Sequence, residues 1–254
     1  MKVMTFNIWN YTRPWKERRL MIAELIKRHR PIAVALQETR HDFRFERGKG
    51  QGEQLADMTG YHATVAVGQV YLPIPRVDES VTILTTETPV KSVQRELTRL
   101  PRERADENRR VCLGVLLHVN GQDVYVFSTH FSLSARARLS NALETVRFIT
   151  EVSGPAPSIV MGDLNATPDE AAIQFLHGEF NEDGETGDFI DCWTAAHPDS
   201  PGFTFASFDP VRRIDYAFAR SLPTGAISAE VIGGEAKGGV YASDHLGLVI
   251  DLPI

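Results

Sequence analysis

The 254-residue chain is long enough to bury a sizeable core, as one large domain or two small ones. Its 43% hydrophobic and 24% charged residues argue against disorder, and no apolar run approaches the length of a membrane span. The net charge of −6 weakens any case for tight, non-specific nucleic-acid binding but leaves room for a local basic groove. Cys112 and Cys192 are too few for a disulfide framework, lack zinc-type spacing, and read as core residues. The chain opens on strand-like Val3-Met4-Thr5-Phe6 rather than a signal peptide, so a cytoplasmic location is expected.

Residues 2–6 read as a strand ending at Asn7, and Trp15 to His29 as an amphipathic helix stopped by Pro31. Ile32 to Leu36 is a buried strand that delivers Gln37 and Glu38 just past its end. A charged loop over 40–52 precedes a short helix from Glu53 to Thr59 and a strand from His62 to Val67. The stretch from Gly68 to Asp78 resists assignment, a strand covers Val81 to Leu84, and the segment from Arg95 to Arg110 reads as a loop or strand edge. Asn120-Gly121 between Val111–Val119 and Asp123–Ser128 is a strong hairpin signal, and Thr129-His130 closes its second strand. Ser134 starts a long helix to about Thr150. The apolar run from Ser158 to Gly162 then stops at Asp163 and Asn165, with Thr167 as the expected cap and Pro168 as the first position of the next helix. Short strands follow at Phe203–Phe205, Arg213–Ala219, Ile227–Ile232 and Leu246–Leu252, the last preceded by Ser243-Asp244-His245. No linker or repeat divides the chain, so residues 1–254 are expected to form one domain. Many short strands with few helices favour an α+β two-sheet architecture.

Polar groups therefore recur at strand ends or within the late strands: Asn7, Glu38, His130, Asp163 with Asn165, Asp215, and Asp244 with His245. Carboxylates and amides without thiols suit a hard, oxygen-preferring cation such as magnesium or manganese. Magnesium keeps water and leaves room for phosphate oxygens, so the set points to phosphate chemistry. Taken singly, each residue has a plainer reading: Asn7 could cap a turn, Asp215 could pair with Arg213, and His130 could be a satisfied core histidine.

Thr5-Phe6-Asn7-Ile8, Leu36-Gln37-Glu38, Ser128-Thr129-His130-Phe131, Gly162-Asp163-Leu164-Asn165, Arg213-Ile214-Asp215-Tyr216 and Ser243-Asp244-His245 occur in an order and spacing that resemble the endonuclease/exonuclease/phosphatase superfamily. The resemblance implies a four-layer α/β/β/α sandwich of two mixed sheets, deoxyribonuclease-like, with the site at one edge. It implies a magnesium- or manganese-dependent phosphoric ester hydrolase acting on phosphodiesters or phosphomonoesters, and a monomer is expected. Glu38 would be the principal metal carboxylate, with Asn7 and Asp244 close to the ion. Asp163 would orient or deprotonate the attacking water, Asn165 would hold the phosphate or that water, and Asp215 would hold His245 beside the phosphoryl group. His130 resembles the second histidine of deoxyribonuclease-like, sphingomyelinase-like and phosphoinositide-phosphatase-like members, where it would help stabilise charge as an imidazolium, with Glu79 as its carboxylate support.

Abasic-site endonucleases and exonuclease III-like enzymes generally lack that histidine, which shifts weight toward the other branches. Arg40, Arg44 and Arg47, the Arg99 to Arg110 cluster, and Arg136 with Arg138 could line a phosphate-rich groove, although solvated faces are the commoner fate of such charges. Arg110 is the first of these to consider as a phosphate contact. Tyr71-Leu72-Pro73-Ile74 is a candidate lipid-contacting loop, with burial as the alternative. The substrate stays open among nucleic acid, phospholipid head group and small phosphoesters, and a non-catalytic phosphate-binding module on the same scaffold is the alternative reading.

Overall fold

The computed structural model of the chain describes residues 1–44, 48–71, 77–100 and 108–254. Arg47, Leu72 to Ile74, and Arg102 and Arg104 of the Arg99 to Arg110 cluster lie outside them. Two six-stranded mixed sheets form the centre of the fold. The first takes β1 (Lys2–Asn7), β2 (Ala33–Asp42), β3 (His62–Val70), β4 (Val77–Thr85), β11 (Ser228–Ile232) and β12 (Gly247–Asp251), in the order β11-β12-β1-β2-β4-β3. The second takes β5 (Lys91–Leu97), β6 (Arg110–Val119), β7 (Gln122–His130), β8 (Ser158–Asp163), β9 (Ile190–Asp191) and β10 (Asp215–Arg220), in the order β5-β6-β7-β8-β10-β9. Each sheet has one parallel pair near its middle, β1 with β2 and β7 with β8. These crossovers are made by α1 (Trp15–His29) and α3 (Ala135–Ser153), which cover the outer faces with help from α2 (Gln51–Thr59) and α4 (Ala171–Leu176). A five-residue helix, α5 (Cys192–Ala196), follows β9.

Alternation along the strands sorts the apolar residues into three layers. Val3, Ala35, Ile83, Val115, Val126, Met161 and Ala217 pack between the sheets, Phe6, Leu36 and Leu84 pack with Ile22 of α1, and Phe127 and Val160 pack with Ile149 of α3 and Phe175 of α4. The four-layer α/β/β/α sandwich expected from the sequence is therefore the fold, and Cys112 and Cys192 are both buried and free. No helix among the described residues is long and apolar enough to cross a membrane.

Local differences have identifiable causes. The strand carrying Glu38 does not stop there but continues to Asp42, because a bulge between Leu36 and Thr39 absorbs the irregularity and pairing with β4 resumes at Thr39 opposite Ser80. The helix expected from Thr167 starts at Ala171 instead. Glu170 accepts the Thr167 N–H at 3.0 Å but also pairs with Arg138 of α3, and residues 168–170 form a turn before the helix begins. Lys91–Leu97 is an edge strand despite its polar sequence, since only alternate side chains meet the sheet below. Phe203–Phe205 is not a strand, yet Phe205 makes isolated bridges to Arg212 and His245.

Gly162 shows how tightly β8 is set against β7. Its φ is +156° and an added Cβ would lie 1.9 Å from the Thr129 carbonyl oxygen. Gly162→Ala is expected to cost about 3 kcal/mol or more, through both backbone strain and displacement of β7. Thermal unfolding would read this as a fall of roughly 6–12 °C in Tm.

Candidate active site

One rung of the second sheet carries three of the expected residues side by side. His130 ends β7 and Asp163 ends β8, paired in register, and Asp215 begins β10 on the other side of Asp163. Asn7 ends β1 in the facing sheet, opposite Gln37. Glu38 sits within the bulge at φ +53°, which takes it out of the regular ladder. Beneath them a buried link ties the sheets together: Thr5 donates to Gln37 Oε1 at 3.3 Å, and Gln37 Nε2 donates to Ser128 Oγ at 3.2 Å. Asp244 and His245 arrive on the segment before β12. Glu38, Glu79, Arg110, His130, Asp163, Asn165, Arg212, Asp244 and His245 line one cleft of about 340 Å³.

The Asp163 carboxylate, 2% exposed, is the centre of this arrangement. Its Oδ2 accepts from Asn7 Nδ2 at 2.9 Å and lies 3.5 Å from His130 Nε2 and 3.7 Å from His245 Nε2, while Oδ1 accepts the Asn165 N–H at 2.9 Å. Asn7 Nδ2 also donates to Glu38 Oε1 at 3.1 Å, and its Oδ1 accepts the Trp9 N–H. Burial pushes Asp163 up to about 6, with the His245 charge opposing and the Asp215 charge reinforcing that shift.

The two histidines differ in charge. His245 Nδ1 lies 2.9 Å from Asp215 Oδ2; burial opposes its charge, but Asp215 and Asp163 outweigh burial and raise it to about 10. His130 is instead pushed well below the usual imidazole range by burial, by Arg110 and by His245. Its hydrogen bonding agrees. Asn165 Nδ2 donates to the Phe131 carbonyl and to His130 Nε2, both at 3.0 Å. The carbonyl fixes the amide's orientation, so His130 Nε2 must accept and the ring is neutral. The expected imidazolium at His130 is thereby corrected, because no carboxylate among the described residues hydrogen-bonds that ring to hold its charge.

Glu79 does not orient His130. Among the described residues its Oε2 accepts from Tyr71 at 3.1 Å and from Arg40 at 3.4 Å, and Arg40 stacks over the Tyr71 ring. Asn165 takes the orienting part that a carboxylate was expected to play. Asp215 does not pair with Arg213, which is held by Asp191 at 2.8 Å. Arg110 is buried at the start of β6 and borders the cleft beside His130.

Two further residues escaped the sequence reading. Asn10 donates to Glu38 Oε2 at 3.1 Å, which fills the second oxygen of that carboxylate. Arg18, 1% exposed, donates to the carbonyls of Ile8, Trp9, Asn10, Thr12 and Ala242, clamping the loop after β1 to the segment before Asp244. Its place on α1, three residues after Trp15 and four before Ile22, puts it on the apolar stripe. A charge on that stripe was the available signal.

The donor set fits a hard divalent cation. Glu38, His130 and Asp163 each offer a ligand atom within 4.8 Å of the others, as do Asp163, Asp215 and His245. Burial raises Glu38, further raised by Glu79, and burial raises Asp244 as well. Desolvated carboxylates crowded together in this way are what a bound cation relieves. Asp244 lines the same cleft but is not gathered into either cluster.

Comparison with known proteins agrees with this geometry. The profile of the Endonuclease/Exonuclease/phosphatase family matches residues 4–245. The chain belongs to that family, whose members generally hydrolyse phosphoesters with divalent metals. Similar solved structures include a functionally unknown conserved protein from Enterococcus faecalis, with 21% identity, 99% of each chain covered and a TM-score of 0.78. A humanized TDP2 from D. rerio has 19% identity over 98% of this chain and 97% of that one, with a TM-score of 0.73. A mannosyl-6-phosphatase from Bacteroides thetaiotaomicron has 18% identity over 100% of both, with a TM-score of 0.73. No curated protein sequence matches the chain.

Opposite histidine charges give a titration test. In metal-free protein, NMR of the imidazole carbons is expected to show His245 protonated at neutral pH and losing its proton only near pH 10, with His130 neutral throughout. Because the folded value of His245 lies above its unfolded value, the stability it contributes is complete below about pH 6.5 and is lost as pH rises through about 10. His245→Gln should remove that component of the pH dependence.

Proposed function

We propose that the chain is a magnesium- or manganese-dependent phosphoric ester hydrolase that uses water as the nucleophile. The observation that carries this reading is the buried Asp163 carboxylate, held between a charged and a neutral histidine beside converging metal-type donors. Glu38 would hold the ion as principal carboxylate, with Asn7 and Asp244 beside it. When bound, the ion supplies charge neutralisation to the phosphoryl oxygens.

The chain's own groups do the rest. Asp163, raised to about 6, is an effective acceptor near neutral pH and takes the proton of the attacking water. His245, fixed by Asp215, donates from Nε2 to a phosphoryl oxygen and offsets the charge that develops there. His130, neutral and with Nε2 engaged by Asn165, holds that amide in place beside the phosphate rather than supplying positive charge or a proton, and the departing oxygen takes its proton from solvent. Arg110 at the cleft wall contacts the phosphate. In-line attack by water on phosphorus needs no covalent enzyme intermediate. A phosphomonoesterase named among the structural neighbours, together with the open cleft, supports a phosphoester substrate without naming its leaving group.

Hydrolysis of an activated phosphodiester such as bis(p-nitrophenyl) phosphate is expected with magnesium or manganese and absent with chelator. Asp163→Ala should lower kcat by about 10²–10⁴-fold while the protein stays folded by circular dichroism. Full activity in that variant, or turnover in chelator, would defeat the reading in favour of a phosphate-binding module or a different chemistry. His245→Gln is expected to lose far more turnover than metal affinity, measured by calorimetric titration. Equal loss of both would make His245 a ligand.

A further inference from the structure

Six described arginines lie over aromatic rings: Arg18, Arg40, Arg95, Arg212, Arg213 and Arg220. Five of these also give N–H groups to oxygen acceptors. Arg18 binds backbone carbonyls, Arg40 binds Glu79, Arg95 binds Glu151, Arg213 binds Asp191 and Arg220 binds Thr150. Arg212 differs. Among the described residues its guanidinium has no carboxylate or other hydrogen-bond acceptor, and its one side-chain contact of this kind is the Phe205 ring, 4.9 Å from Cζ.

This exposed cation is nevertheless well positioned. Phe205 and Arg212 exchange backbone hydrogen bonds of 2.9 and 3.0 Å, which closes the loop over 206–211. Ser207 anchors that loop to the catalytic segment, with its N–H donating to the Asp244 carbonyl and its Oγ to the Ser243 carbonyl, both at 2.7 Å. The Phe205 ring also packs on the His245 imidazole, with centroids 4.8 Å apart. The His245 ring and the Arg212 guanidinium thus border one aromatic ring, and all three side chains line the same cleft. Four carboxylates, Glu38, Glu79, Asp163 and Asp244, also line that cleft and repel a second anionic group, while Arg110 lies beside His130. An unpaired guanidinium stacked on a ring is pre-organised for a phosphate and loses little freedom on meeting one.

We propose that Arg212 receives a second phosphate on the substrate, so that the enzyme prefers phosphoesters carrying a neighbouring phosphate across Phe205 from the scissile one. This rests on the hydrolytic reading of the same site. The neighbouring group can be the next phosphate of a polynucleotide or the second phosphate of a small bisphosphate. In both cases the contact is Arg–phosphate.

Two matched chromogenic probes test it: p-nitrophenyl thymidine 5′-phosphate with and without a 3′-phosphate, assayed with magnesium or manganese. The wild-type protein is expected to favour the bisphosphate about fivefold to tenfold in kcat/KM, a preference that Arg212→Ala brings close to unity and Arg212→Lys partly restores. A preference unchanged in Arg212→Ala, or absent in the wild type, overturns the proposal. Calorimetric binding of thymidine 3′,5′-bisphosphate against thymidine 5′-monophosphate gives the same comparison without turnover. If neither these probes nor bis(p-nitrophenyl) phosphate is hydrolysed, the hydrolytic reading fails, while the binding difference between wild type and Arg212→Ala still decides the role of Arg212. Inhibition by oligothymidylate that weakens in Arg212→Ala identifies polynucleotide as a source of the second phosphate; inhibition by the bisphosphate alone identifies a small molecule.

Discussion

A carboxylate removed from water, with no arginine or lysine among the described residues bonded to it, is the constraint on which this site is built. Asp163 is kept in that position by an asparagine amide, a backbone N–H and the proximity of two imidazoles. Burial alone would drive it to accept a proton, and the nearby His245 charge limits that tendency. The resulting balance leaves a group that can both hold and release a proton close to neutrality, which a solvent-exposed aspartate cannot do as well. His245 depends on the same balance from the other side, since its charge persists only because Asp215 and Asp163 face it.

The asymmetry between the histidines follows from what each ring touches. His245 meets a carboxylate that only accepts, so its nitrogen must donate. His130 meets an amide that only donates at that atom, so its nitrogen must accept. One carboxylate and one amide thus set two otherwise similar side chains to different tasks, a division that burial alone would not produce.

Much of the site could be read in advance because its residues sit where strand patterns end. Asn7, His130 and Asp163 each end a largely buried strand, and the buried layers that make those strands legible also fix the three residues at one edge. What was hidden depended on geometry without a local signature. The bulge at Glu38 is visible only once β4 is known to resume pairing at Thr39. Glu79 was a plausible partner for His130 until Tyr71 and Arg40, distant in sequence from each other, were found on it. Asn165 reaches His130 only because β7 and β8 are parallel neighbours. The edge strand β5 was obscured by its polar composition, since an edge needs half of its side chains in solvent.

The site draws residues from both sheets, so its dimensions are set by how closely the sheets approach. Ala33, Ala35, Ala217 and Ala219 contribute small side chains to the inter-sheet layer, and the Gln37–Ser128 bond crosses it. The distances from Asn7 to Asp163 and from Glu38 to His130 are therefore not properties of any loop. They are the spacing of the sandwich itself, measured at its edge. A close-packed interior resists compression and slip, so the hydrophobic layer acts as the gauge block that holds the two halves of the proposed reaction centre at a set separation, and its packing bears on the geometry of the site as well as on stability.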